Sequence, residues 1–265
     1  MILWDRGGVN GDGTFSVLWK GVSMNNRRSI QLFFIIFIVS LTVYVSSIVI
    51  KRVNSFNYAS DIDKAVLTLD GRPITLRELG YYIAEVEDFT QKQAVLYDPD
   101  DPLVYWNLYF SARENSTFVS DYARETAINN CLADIIYENR ALEEGITLTE
   151  AMSDAAEEDA TLFYVCLSDE QRAAVGLTKE MTVEIEKRKQ LASAYITSLL
   201  ASDRNLSSML EDMANEKDPP VDPVSLLSGT GDYFKESILP QYKVTYNRKI
   251  LRKLPLGRIT VNQEW

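Results

Sequence analysis

The stretch Val66–Ile83, VLTLDGRPITLRELGYYI, decides how the folded part of the chain begins. The segment Ala65–Leu69 is predicted to form a strand, since it is short, apolar and followed by a turn signal. Asp70-Gly71 is typical of a two-residue hairpin turn, and Pro73 restricts the returning segment to a sheet edge. Thr75-x-x-Glu78 is the pattern of a helix capping box. The stretch therefore predicts a β-hairpin that leads directly into a helix.

Helical patterns follow the hairpin. Apolar residues at helical spacing (Leu79, Tyr82, Ile83, Val86 and Phe89) predict one buried face. A long helix is expected from near Phe118 to Gly145, and further helices are expected to open at Thr149, Ser168 and Thr178. Residues 202–232 are predicted to be a loop that contains one helical turn around Leu206–Met213. Lys243–Tyr246 alternates like a strand, and we expect it to close a small sheet with the hairpin.

Residues 30–50, IQLFFIIFIVSLTVYVSSIVI, contain no charge, proline or glycine. Twenty-one helical residues span roughly 30 Å, the thickness of the hydrocarbon core of a bilayer. The run is longer than the apolar part of most cleaved signal peptides, so an uncleaved anchor is favoured over a cleaved signal. The sequence thus predicts a single-pass protein of the cell membrane whose C-terminal domain is extracytoplasmic.

The predicted organisation has six parts. They are a short cytoplasmic segment (1–28), the transmembrane signal-anchor (29–52), a linker (53–63), a helical domain (64–201), a loop (202–232) and a closing helix and strand with a basic tail (233–265).

Histidine is absent, and only Cys131 and Cys166 could supply thiols. This composition excludes Ser-His-Asp and Cys-His catalysis, every zinc site that contains histidine, and a four-cysteine zinc site. No catalytic residue, cofactor or metal is therefore predicted. The two cysteines are expected to be buried on facing helices, either as free thiols or as one disulfide. The consecutive carboxylates at residues 157–159 point around a helix and predict a solvated face.

The charge is uneven along the chain. Residues 53–240 carry a net charge of −20, which argues against nucleic acid as a partner. The C-terminal tail is basic, and two alternatives stay open for it: contact with an anionic surface, or contact with the acidic domain beside it. The basic residues are Lys243, Arg248, Lys249, Arg252, Lys253 and Arg258.

Aromatic residues cluster between the first two long helices, at Tyr105, Trp106, Tyr109 and Phe110. Their i, i+3, i+4 spacing is typical of one helical face. They either pack in the core or line an apolar cleft that binds unfolded polypeptide. In both cases Trp106 is expected beside the N-terminal half of the helix that starts near Phe118.

The hairpin and the segments that follow it resemble the SurA/PrsA group of extracytoplasmic foldases, in their N-terminal helical chaperone domain. The resemblance rests on Val66–Leu69, Asp70-Gly71, Ile74-Thr75 and Glu78, on the Gly-Ile-Thr-Leu-Thr-Glu step at 145–150, on Gly-Leu-Thr at 176–178 and on the closing strand at 242–247. It implies a mainly α fold: a transmembrane helix, then a SurA-N-like helical domain with a small β-hairpin or sheet joining its two ends.

The resemblance also implies a function, with one departure from the family. Residues 202–232 are too few for the parvulin prolyl-isomerase domain that many members carry at this place. The chain is therefore expected to be a membrane-anchored holdase for unfolded or exported polypeptides, without isomerase or other enzymatic activity. The alternative is a scaffold subunit of a membrane-associated complex with one dedicated protein partner.

Overall fold

The computed structural model describes residues 36–42, 44, 58–112 and 115–263. The chain divides into two units, residues 1–54 and 55–265. In the first unit the described residues are helical and exposed. Among the described residues, no helix is both long and apolar enough to cross a bilayer. Most of the predicted membrane segment, residues 30–50, lies outside the described part of the chain.

The second unit is mainly helical, as predicted, and has a small antiparallel sheet. Its helices are α1 (Tyr58–Asp61), α2 (Leu76–Tyr97), α3 (Leu103–Trp106), α4 (Val119–Glu143), α5 (Glu150–Cys166), α6 (Asp169–Val175), α7 (Lys179–Ser202), α8 (Arg204–Asn215) and α9 (Arg248–Leu251). Its strands are β1 (Ala65–Leu69), β2 (Arg72–Thr75), β3 (Tyr109–Ala112), β4 (Asn115–Phe118) and β5 (Val244–Tyr246).

The predicted closure of the sheet is confirmed. The strand order is β2-β1-β5, and Thr68 of β1 lies between Pro73 and Thr245 of its two neighbours. Asp70 and Gly71 both have positive φ angles, as a type I′ hairpin turn requires. The Asp70 carboxylate also accepts a hydrogen bond from the Lys243 backbone N–H at 2.7 Å, which ties the turn to the closing strand.

The predicted helix signals account for most helix boundaries. Ser168 and Gln171 form both bonds of a capping box at α6, and Gly176 ends that helix in a left-handed conformation. The hydroxyls of Thr149 and Thr178 each accept a backbone N–H at the start of α5 and α7. The long helix α4 spans Val119–Glu143, one residue after the predicted start.

The prediction of a loop at residues 202–232 was wrong. This segment contains the 12-residue helix α8 and a short 3-10 helix, Pro223–Leu227. The Asp203 carboxylate caps α8 by accepting the N–H groups of Asn205 and Leu206, both at 3.0 Å. Leu210 and Ala214, one turn apart, are buried by the domain. Tertiary burial therefore stabilises a helix directly before the proline-rich and glycine-rich sequences of this segment.

The C-terminal residues 254–260 pack into the domain. We call residues 254–262 the C-terminal strap. Its apolar members, Leu254, Leu256 and Ile259, are buried. Glu87 of α2 is fully buried beneath the strap and accepts hydrogen bonds from the N–H groups of Gly257 and Thr260, both at 2.6 Å.

Candidate functional site

The aromatic group predicted from the sequence does not form one helical face. Tyr105 and Trp106 end the short helix α3, whereas Tyr109 and Phe110 begin strand β3. The prediction of a shared helical face was therefore wrong. The chain turns at Asn107 and Leu108, whose N–H groups donate to the carbonyls of Val104 and Tyr105. The β3–β4 hairpin follows, and the Val119 N–H donates to the Leu108 carbonyl at 3.0 Å at its base.

Trp106 belongs to the core, with 1% of its surface exposed. Its indole N–H donates to Gln91 Oε1 at 2.9 Å, and Gln91 in turn bonds with Asn262 of the strap. A Cβ at Gly257 would lie 2.5 Å from the indole ring, so the strap passes directly over Trp106. Helix α3 also contacts α4, in agreement with the predicted neighbourhood of Trp106.

The other three predicted residues form ring pairs with partners that the pattern did not indicate. The Tyr109 and Phe118 rings meet edge to face at 5.1 Å across the β3–β4 hairpin, with 63% and 46% of each residue exposed. Tyr105 packs against Tyr97 at 5.6 Å. Phe110 contacts Tyr122 at 5.7 Å. We call this set the aromatic hairpin: Tyr97, Tyr105, Tyr109, Phe110, Phe118 and Tyr122.

The backbone of the aromatic hairpin offers a second kind of contact. Among the described residues, β3 and β4 pair only with each other, so each has one outer edge without a neighbouring strand. Exposed strand edges present N–H and C=O groups that pair readily with another extended chain. The Ser111 and Ser116 hydroxyls bond across the pair at 3.0 Å and help to fix its register.

A concave region, separate from the aromatic hairpin, lies between α4 and α7. It is a cavity of about 370 Å³ whose lining includes Asp134, Tyr137, Lys189 and Ile196, and the 3-10 segment contributes Val224. Burial raises the pKa of Asp134 to about 7, although Lys189 and the Tyr82 hydroxyl oppose this rise. Asp134 can therefore exchange a proton near neutral pH.

Beside this cavity, Lys189 connects two helices of the domain. Its Nζ lies 3.0 Å from Glu85 Oε1 and 3.3 Å from Glu186 Oε1, and it also donates to the Tyr81 hydroxyl at 2.9 Å. Burial lowers the pKa of Lys189, but the two carboxylates outweigh it and the pKa is raised. The cluster therefore binds α2 to α7 through an ammonium that stays charged.

The cysteines differ from one another. Cys131 is buried in α4, and burial raises the pKa of its thiol well above the ordinary value. Cys166 is exposed at the end of α5, so the prediction that both are buried was wrong. Both thiols are free, which decides between the two alternatives for this pair. Glu157, Glu158 and Asp159 are exposed, as predicted for a solvated face.

Searches for relatives of the chain gave no match among protein-family models, curated proteins or solved structures. The resemblance to the SurA/PrsA group therefore stays a prediction from the motifs quoted above. Within the described residues, no group of three or more Cys, Asp or Glu side chains is arranged to hold a metal ion.

Proposed function

We propose that this protein is a membrane-anchored, extracytoplasmic holdase that binds unfolded or exported polypeptides through the aromatic hairpin. The observation that carries the proposal is the exposed ring pair of Tyr109 and Phe118. It lies on strands β3 and β4, which in the described part of the chain pair with no third strand. Contiguous apolar patches on a folded domain mark interaction surfaces, and this ring pair lies on strands with open edges. The anchor in this proposal is the apolar run at residues 30–50.

Strand pairing suits a holdase because it depends little on the sequence of the bound chain. When an extended peptide joins a sheet edge, main-chain hydrogen bonds supply much of the affinity. The rings of Tyr109 and Phe118 would then cover apolar side chains of the bound segment. The net charge of −20 over residues 53–240 would keep such a complex soluble. No catalytic step is part of this proposal.

The test is suppression of aggregation by the full chain in detergent or nanodiscs. A chemically unfolded client protein is diluted in its presence, and light scattering is followed. We expect the wild-type protein to delay scattering and Tyr109→Ser/Phe118→Ser to lose most of that effect. Both residues are exposed, so the substitutions should leave the fold intact. Leu162→Ser/Val165→Ser is the matched control, because it removes two equally exposed apolar side chains from α5.

Two outcomes would refute the proposal: no protection of any client at molar excess, or equal loss of protection in the control variant. Crosslinking in cells then separates a holdase from a scaffold. Many exported proteins should be trapped by a photoreactive residue at position 109 if the protein is a holdase. A single trapped protein would favour the scaffold.

A further inference from the structure

The basic C-terminal residues form an exposed surface on a fixed part of the fold. We call Arg248, Lys249, Arg252 and Lys253 the basic turn. All four side chains are exposed, whereas Ile250, Leu251 and Leu254 of the same turn are buried. The buried residues hold the backbone against the domain, so the four charges are presented together and outward.

The basic turn has no carboxylate partner among the described residues of the acidic domain. In the part of the chain that the structure describes, none of its four side chains makes an ion pair or a hydrogen bond. Other basic residues of the domain do find carboxylates, for example Lys217 with Asp232 at 2.6 Å. These four side chains are therefore free of the direct carboxylate contacts that the other basic residues of the described domain make.

The basic turn lies next to the strand by which the chain enters the domain. Asn247, directly before the turn, donates its backbone N–H to the Val66 carbonyl at 2.8 Å and its side-chain amide to the Ala65 carbonyl at 3.4 Å. Only residues 51–57 separate the apolar run 30–50 from Tyr58, and the eight residue steps from Ile50 to Tyr58 reach at most about 29 Å when fully extended. The chain itself therefore limits how far the domain can move from a membrane that holds the apolar run.

We propose that the basic turn docks on anionic phospholipid headgroups of the membrane that anchors the chain, and so fixes the orientation of the domain. Clusters of Lys and Arg close to a membrane segment are attracted to anionic lipid over about one Debye length. The proposal rests on the anchor in the proposed function, but it does not rest on polypeptide binding.

The experiment is lysine footprinting of the full chain in nanodiscs of phosphatidylcholine, alone or mixed with phosphatidylglycerol. Acetylation rates of Lys249 and Lys253 are measured by mass spectrometry. Lys92 serves as the internal reference, since it is exposed and lies ~24 Å along α2 from the sheet end of that helix. We expect both lysines of the basic turn to react roughly tenfold more slowly in the anionic discs, and high salt to restore their rates.

Arg248→Gln/Arg252→Gln keeps both reporter lysines and removes two charges, which should lower the ratio of docked to free domain by roughly 30-fold. Arg204→Gln/Lys187→Gln removes the same charge elsewhere and should leave the protection unchanged. Equal rates in neutral and anionic discs would overturn the proposal, as would protection of Lys92 to the same extent. Protection that appears with a soluble polyanion and is absent on anionic lipid would also overturn it, in favour of a polymer partner.

Flotation in alkaline carbonate separates this proposal from the proposed function. A chain that does not float lacks the anchor, and the footprint is then measured with vesicles added from outside. Slower acetylation of Lys249 and Lys253 with anionic vesicles, but not with neutral vesicles, would support docking of the basic turn on anionic lipid. Equal acetylation rates with both kinds of vesicle would reject the docking proposal.

Discussion

Replacing Glu87 by alanine should destabilise the domain strongly, because this carboxylate is the buried acceptor for the C-terminal strap. It accepts the N–H groups of Gly257, Ile259 and Thr260 and the Thr260 hydroxyl, at 2.6 to 3.2 Å. Each buried donor left without an acceptor costs about 1–3 kcal/mol, less where water enters the vacated space. Three backbone donors therefore give a loss of about 3–9 kcal/mol in the free energy of unfolding, toward the lower end if water reaches them.

For a domain of this size, each kcal/mol lowers the melting temperature by roughly 2–4 °C, so such a loss corresponds to a fall of roughly 6–36 °C. The assay is thermal unfolding of residues 55–265, which form one compact unit, followed by circular dichroism. Glu87→Gln should fall between Glu87→Ala and wild type, since its amide keeps one acceptor oxygen. Glu157→Ala, on the exposed face of α5, is the control. A melting temperature for Glu87→Ala within about 2 °C of wild type would mean that the strap does not depend on this carboxylate.

Three further predictions concern pH, thiols and the strap. The pKa of Asp134 in the folded state is raised to about 7. Between about pH 4 and 7 the folded protein therefore binds more protons than the unfolded chain. The free energy of unfolding consequently falls as the pH rises through that window. In urea titrations, the free energy of unfolding of Asp134→Asn minus that of wild type should therefore increase between pH 4 and pH 8, by at most about 4 kcal/mol. If this difference were the same at both pH values, it would contradict the raised pKa. A thiol reagent should modify Cys166 in the native domain and reach Cys131 only after denaturation, as counted by mass spectrometry, and fast labelling of both would contradict the burial of Cys131. Gly257→Ala should unfold at a much lower urea concentration than wild type, because its Cβ would meet the Trp106 ring and its φ angle is +87°. An unchanged unfolding midpoint would show that the strap can move away from Trp106.

The elements that the sequence predicts well have their causes within a few residues. The Asp70-Gly71 turn, the capping box of α6 and the glycine that ends that helix each act through bonds between near neighbours. The pairing of β5 with β1 spans about 180 residues, yet it was predictable. An isolated hairpin is marginally stable and has open edges, and the segment 243–246 alone showed clean strand alternation.

The aromatic hairpin and the position of Cys166 depend on contacts that local patterns do not contain. Helix α5 buries Ala156 and Ala160, whereas its larger apolar residues Leu162 and Val165 are exposed. The small alanines allow a close approach of α5 to its neighbour α7, so the packed face of α5 carries small residues, and the end of the helix that holds Cys166 stays exposed. Likewise, the site of Trp106 is completed by Gly257, 151 positions later, which no spacing near Trp106 could indicate.

The strap connects stability to the proposed binding surface. Trp106 lies between the two. Its indole N–H bonds to Gln91, which also bonds to Asn262 of the strap. Strand β3 of the aromatic hairpin begins three residues after Trp106. Loss of the strap would expose Trp106 and free the base of the hairpin, so the exposed rings of Tyr109 and Phe118 would no longer be presented on a fixed frame. Polypeptide binding should therefore weaken in Glu87→Ala even at temperatures at which the helices remain folded. If binding by Glu87→Ala equals that of wild type below its melting temperature, the hairpin holds its conformation without the strap, and the two parts of the domain act independently.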